Sequence, residues 1–214
     1  VFLAGLLLHG LGAWAQDRPD VKVCIDTNFW APYTFVGDGK ASGLHVEMAK
    51  LAFRRLGITA VIRPWPWKRC MAYGRTGEYD AVLSAGYDPT RVPYFHYPDD
   101  AEAPASRLRV TLADYVVVVR ADDVFDWDGR EETLPDPVGL PVGYAEVDTL
   151  KGFGLKVSQA TSYNDLFRML ARGRINSVIL PRRTAAMYLE TEQFETPLDL
   201  LPKRLRSTPF HMIV

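Results

Sequence analysis

Short runs of β-branched and apolar residues alternate along this chain with stretches whose apolar positions recur every three or four residues. Val21 to Ile25 is such a run, closed by Asp26-Thr27-Asn28, and predicts a strand. From Leu44 to Leu56 the positions Leu44, Met48, Leu51, Ala52 and Leu56 fall at helical spacing, with Gly57 as the C-cap. Ile58 to Ile62 predicts a second strand, Trp67 to Arg75 a second helix stopped at Gly77, and Ala81 to Leu83 a third strand. Strands and helices alternating through short links imply parallel βαβ units in an α/β sheet.

The same grammar returns after Arg109 to Arg120, whose centre Tyr115-Val116-Val117-Val118-Val119 suits a strand passing from one lobe to another. Asp122 to Asp136 reads as a solvated, mobile connector. Then follow a strand from Val138 to Val142, a turn at Gly143-Tyr144, a helix from about Tyr163 to Arg172 ended by Gly173, a strand from Val178 to Leu180, and a helix from about Arg183 to Thr191. The halves echo one another. Gly77 precedes Asp80 and Val82-Leu83, as Gly173 precedes Asn176 and Val178-Ile179. Any helix–Gly–strand junction looks like this, so the echo alone does not decide between a repeat and ordinary α/β construction. Two such lobes would set two groups of strand C-terminal loops face to face, where open α/β sheets bind ligands.

At 214 residues, 48% hydrophobic and 24% charged, the chain can bury one substantial core or two modest ones. A net charge of −1 gives no reason to expect nucleic acid or an anionic membrane as partner. Val1 to Ala15 is apolar apart from His9 and ends in Ala13-Trp14-Ala15 before a polar stretch, which reads as a secretory signal cleaved after Ala15. A membrane span needs about 20 apolar residues, more than this run holds. The Met and basic segment that precede such signals are absent, so the chain is expected to be a fragment at its front end. Behind an export signal, the two cysteines, Cys24 and Cys70, are expected to pair. No metal site or cofactor is expected: there is no C-x-x-C, and the four histidines lack ligand spacing.

The candidate chemistry lies at strand ends. Arg91 offers a planar fork that matches a carboxylate, and Ser84, Gly86 and Thr90 before it make a small-residue loop able to share an anion through backbone N–H groups. Phe29, Trp30 and Tyr33 follow the first strand and Trp65 and Trp67 the second, placed either to wall a pocket or to pack in the core. Asp26 is placed either to accept a bond from a ligand or to cap its own loop. There is no G-x-S-x-G, no nucleophile with a His partner and no phosphate loop, so no catalytic set emerges.

At these residues the chain resembles the type II periplasmic solute-binding proteins, in the branch of polar-amino-acid-binding components of ABC transporters. The resemblance runs from Val21 to Val214. It is carried by Trp30-Ala31-Pro32-Tyr33, Gly43-Leu44-His45-Val46-Glu47, Gly77 to Leu83, and Thr90-Arg91 followed by Tyr94 to Pro98. It implies an α/β, two-lobed periplasmic-binding-protein-like (type II) fold with two crossover hinge strands, near Tyr115 to Val118 and Ser207 to Met212. The expected division is a signal at 1–15, a first lobe at 16–114, a second at 115–206 and a return crossover at 207–214, with a C-terminal helix missing.

The same resemblance makes Arg91 the holder of a ligand α-carboxylate, with Ser84 and Gly86 helping. Asp26 would contact polar ligand groups, Phe29 and Trp67 would flank the ligand, and Trp30, Tyr144 and Arg182 complete the expected contacts. Where amino-acid binders carry an aspartate for the ligand ammonium, this chain reads Pro181-Arg182-Arg183. A mono- or dicarboxylate, or an aromatic acid, is therefore expected in preference to a zwitterion. The expected role is an exported, monomeric, non-enzymatic periplasmic binder that presents a small solute to an ABC permease. A dehydratase-like enzyme using Asp26 or Glu146, and a receptor sensor module, are the alternatives.

Overall fold

In the computed structural model, residues 20–214 are described; the expected signal at Val1 to Ala15 lies outside the described residues. The first lobe opens with β1 (Val21–Asp26), a small hairpin of β2 (Phe35–Gly37) and β3 (Lys40–Ser42), and helix α1 (Leu44–Arg55). It continues with β4 (Ala60–Trp65), α2 (Trp67–Arg75) and β5 (Ala81–Gly86). The long strand β6 (Thr111–Arg120) leads to β7 (Val138–Pro141), α3 (Glu146–Gly152), β8 (Val157–Ala160), α4 (Tyr163–Ala171), β9 (Ser177–Pro181), α5 (Arg182–Thr191) and β10 (Leu198–Leu200). The last strand, β11 (Arg206–Ile213), returns.

The principal sheet runs β4-β1-β5-β11-β6-β9-β7-β8, with β10 added beside β6. Within each lobe the strands are parallel, as the βαβ pattern requires: β4, β1 and β5 in one, β8, β7 and β9 in the other. Between them stand β6 and β11, antiparallel to each other over Thr111 to Tyr115. Beyond that stretch, β11 pairs with β5 in one direction and β6 with β9 in the other. These are the two crossover strands. Each lobe buries an apolar layer on both faces of its part of the sheet, Val23, Ile25, Val46 and Leu83 on one face of the first, Cys24, Cys70, Val82 and Phe95 on the other.

The echo between the halves is structural. Gly77 and Gly173 both take positive φ, 72° and 67°. Three residues on, the backbone N–H of Asp80 donates to Lys22 O at 2.9 Å and that of Asn176 to Pro137 O at 2.9 Å. Each thus ties the third strand of its lobe to the start of the first.

Three expectations need correction. The apolar stripe of α1 faces solvent: Leu44 is 53% exposed and Leu56 62%, while His45, Val46 and Ala49 are buried. The rotation of this helix is set at its entry, where Leu44 N–H and His45 N–H donate to the carbonyls of Pro32 and Tyr33. Gly43 makes that approach possible, at φ 112° and with the position of a Cβ only 2.4 Å from Tyr33 O. The segment 122–136 is more than a solvated connector, since Trp127 and Leu134 are buried in the second lobe's core. Ser84 and Gly86 lie within β5 rather than in the loop after it.

Candidate functional site

The C-terminal ends of β1 and β5 face the turn after β7 across a cavity of about 290 Å3. Ends of this kind carry free backbone groups and a change in chain direction, which is why open α/β sheets collect ligands there. From the first lobe, Asp26, Trp30, Trp67, Ser84, Gly86 and Arg91 line it. Opposite stand Tyr144, Ala145 and Glu146 around the start of α3, with Thr149 one turn on. The floor is made by the crossover strands through Tyr115, Arg206, Thr208 and Phe210, and Glu131 closes one side.

Arg91 lies between the lobes. Its Nε pairs with Asp88 at 3.2 Å. Its two terminal nitrogens reach Gly86 O at 3.4 Å and, across the cleft, Gly143 O at 3.5 Å, and the guanidinium also bonds the Tyr97 side chain. The guanidinium rests over the Trp67 ring, 5.4 Å from its centroid. Gly143 is needed for this approach: at φ 84°, a Cβ there would stand 2.8 Å from Lys68 Cγ.

Asp26 is buried and accepts from Asn28 N–H at 3.1 Å and from the Tyr144 hydroxyl of the other lobe at 3.0 Å. Loss of water raises its carboxyl above the usual range, outweighing the hydrogen bonds that favour its charge. Further lobe-to-lobe bonds join Thr184 Oγ1 to Ala31 O at 2.8 Å and Tyr188 OH to Phe29 O at 3.4 Å. The lobes are therefore closed on one another. Trp30 and Trp67 are both buried, both line the cavity, and neither indole N–H has a hydrogen-bond partner among the described residues.

Behind Ser84 sits a residue that sequence reasoning missed. His45 is fully buried, its Nδ1 2.8 Å from Ser84 Oγ and its ring packed against Trp30 and Tyr33. Ser84 holds φ 69°, a left-handed conformation uncommon outside glycine. Burial pushes the His45 imidazole down from 6.5 to about 4. Its folded value is depressed, so between about 4 and 6.5 the unfolded chain binds more protons, and stability is lost as pH falls through that window. The parent should therefore lose roughly 3 kcal/mol more than His45→Gln on acidification across it. Denaturant unfolding at a series of pH values checks this; parallel pH slopes in parent and variant would sink it.

Of the expected contacts, Asp26, Trp30, Trp67, Ser84, Gly86, Arg91 and Tyr144 are brought together, whereas Phe29 and Arg182 are not. Phe29 is 40% exposed and packs on Phe35 and on Tyr188 of α5, outside the cavity. Arg182 and Arg183 open α5 and are exposed. The next residue, Thr184, is the one that faces the first lobe, so the helix turns both arginines away. The charge on that side of the cleft comes instead from Glu131 and Glu146, both bonded to Arg206 at 2.6 and 3.0 Å. Burial works against the Arg206 charge, but these carboxylates outweigh it and raise its pKa. Glu146 follows the turn after β7 and was open to the strand-end rule. Glu131 and Arg206 carried no local signal.

Residues 21–111 match the model of the bacterial extracellular solute-binding proteins, family 3. The matched stretch is the first lobe, from β1 to the start of β6. No curated protein matches the chain. Among solved structures, holo ArgBP from T. maritima aligns at TM-score 0.73 and 23% identity, over 91% of this chain and 81% of that one. A histidine kinase sensor domain with similarity to periplasmic binding proteins aligns at TM-score 0.76 and 18% identity, covering 91% and 82%. An ancestral amino acid-binding protein, precursor of cyclohexadienyl dehydratase, aligns at 0.70 and 19%, covering 91% and 81%. The fold of the chain is thus the two-lobed one of the periplasmic binding proteins.

Proposed function

We propose that this solute-binding protein captures a small amino-acid-like solute in its inter-lobe cavity, carboxylate toward Arg91 and ammonium toward the opposite wall, and hands it to a membrane permease. One observation carries the reading: the two walls have unlike unsatisfied chemistry. The first lobe presents the terminal nitrogens of Arg91, whose carbonyl contacts are long at 3.4 and 3.5 Å. The opposite side presents two carboxylates, Glu131 and Glu146, against the single charge of Arg206. An anionic group on one side and a cationic group on the other complement that polarity. A purely anionic solute would meet the surplus carboxylate in a closed, water-poor cleft, where repulsion strengthens. The expected preference for acids over zwitterions, built on Arg182, is therefore reversed.

A volume of about 290 Å3 suits a solute of amino-acid size. Contacts from both lobes would favour the closed state over the open one, coupling capture to the shape a permease reads. Calorimetric titration with matched pairs, an amino acid against the same acid lacking its amine, tests the reading. The amine-bearing members should bind at least about tenfold tighter, the worth of roughly one charge-assisted hydrogen bond. Equal or tighter binding of the deaminated members across several pairs refutes it. Chromatography of each solute after incubation separates capture from dehydratase-like turnover at Asp26 and Glu146.

A further inference from the structure

We propose that Arg206 is a built-in occupant of a guanidinium site, and that by filling this site it bars cationic side chains from the cavity. The inference deepens the proposed capture of an amino-acid-like solute by naming the side-chain class that is refused. Arg206 opens β11 and reaches the cavity from the crossover. Each edge of its guanidinium has a partner: one terminal nitrogen is 2.6 Å from Glu131, the other 3.0 Å from Glu146, and Nε donates to Thr208 Oγ1 at 3.3 Å. Its flat face lies over the Tyr115 ring, 5.0 Å from the centroid. Two carboxylates at the edges and an aromatic plate on the face are what a protein builds to recognise a guanidinium ligand.

The three elements that make the site are independent of Arg206. Glu131 stands on a single 3-10 turn at Glu131–Thr133, Glu146 on the first turn of α3, and Tyr115 on β6. Tyr115 is buried and anchored against Phe210. The Arg206 backbone is held by pairing with Tyr115 in the β6–β11 ladder, a contact that a shorter side chain keeps. Truncation at Arg206 therefore opens a carboxylate-lined extension of the cavity without removing a strand. With Arg206 in place, a cationic side chain finds the Tyr115 plate and the paired carboxylate edges already filled, while the one net negative charge left on that wall still serves the ligand ammonium. A neutral amide or hydroxyl meets neither obstacle.

The test uses the parent, Arg206→Ala, and Arg206→Ala combined with Glu131→Gln and Glu146→Gln, each scanned by thermal unfolding and calorimetry. At about 20 mM methylguanidinium, with tetramethylammonium as ionic control, Arg206→Ala should melt about 3 °C higher or more, and the parent and triple variant should not shift. Methylguanidinium carries no carboxylate, so this arm does not depend on Arg91 or on the proposed ligand orientation. Absence of a shift in folded Arg206→Ala, or an equal shift in the triple variant, overturns the proposal. The second arm compares arginine with glutamine. The parent should favour glutamine by about tenfold or more, and Arg206→Ala should reverse the order. Should Arg206→Ala fail to fold alone, its refolding yield must rise with methylguanidinium and not with tetramethylammonium; equal yields overturn the idea. A methylguanidinium shift with no binding of either amino acid would leave the guanidinium site standing and remove the proposed function. Parent protein that takes arginine as tightly as glutamine defeats the inference whatever the variants do.

Discussion

Arg91→Ala is expected to weaken capture about 100-fold or more while leaving the fold intact. A carboxylate that replaces the two long carbonyl contacts of the guanidinium gains two charge-assisted hydrogen bonds, each worth about 1.5–3 kcal/mol. Their joint loss, even discounted for non-additivity, exceeds a factor of roughly 100 in affinity. The fold should survive because Asp88, the partner left behind, keeps bonds from Thr90 N–H at 2.9 Å and Thr90 Oγ1 at 2.7 Å. Arg91→Lys should recover only part of the loss, since an ammonium supplies charge but no fork. Calorimetry with the tightest amino acid of the matched series, beside thermal melts of each variant, checks both halves. Parent-like affinity in Arg91→Ala would remove Arg91 from the site.

Replacing both Cys24 and Cys70 by alanine is expected to cost about 4 kcal/mol of stability. The two are bonded, their Cα atoms 5.6 Å apart and 46 positions distant in sequence. Releasing a loop of that length returns conformational entropy to the unfolded chain, which in the chain-entropy model amounts to about 4 kcal/mol. Both residues are fully buried, so alanine also leaves the space of two sulfurs within the cluster of Trp67, Val82 and Phe95. The bond has a second consequence. It joins β1 just before Asp26 to the first helical turn that begins with Trp67, and the Trp67 backbone itself bonds Asp26. Affinity should therefore fall along with stability, well below the unfolding range. Urea unfolding of parent and variant, followed by titration in buffer, measures the two effects. A stability loss below about 1 kcal/mol would show that the unfolded chain gains little from release.

Most of the lobe-forming strands and helices were legible because each repeats its own local pattern. Trp67–Arg75 begins after a proline and stops before Gly77, and Tyr163–Ala171 is capped by Ser162 and closed before Gly173. What failed were short or weakly patterned pieces: the β2–β3 hairpin, α3, β8 and β10 have only three to seven residues each. Pairing partners rather than local propensity hold such segments in place.

The candidate site divides along the same line. Asp26, Trp67, Ser84, Gly86 and Arg91 were readable because they occupy or follow strand ends, and the end of a parallel strand is fixed by the sequence around it. The pairing of Cys24 with Cys70 was also readable, from their number and the expected export. Which face of α1 is buried was not, since the Gly43 entry sets the helix rotation against its apolar stripe. Nor was the charge of the second wall. Glu131, Glu146 and Arg206 lie 15 and 60 positions apart along the chain, and their electrostatic balance exists only where the crossover strand brings them within hydrogen-bond distance. Local sequence determined the lobes and the Arg91 half of the cleft; the closure of one lobe on the other decided the sign of the remainder, because charge is summed over space and not along the chain.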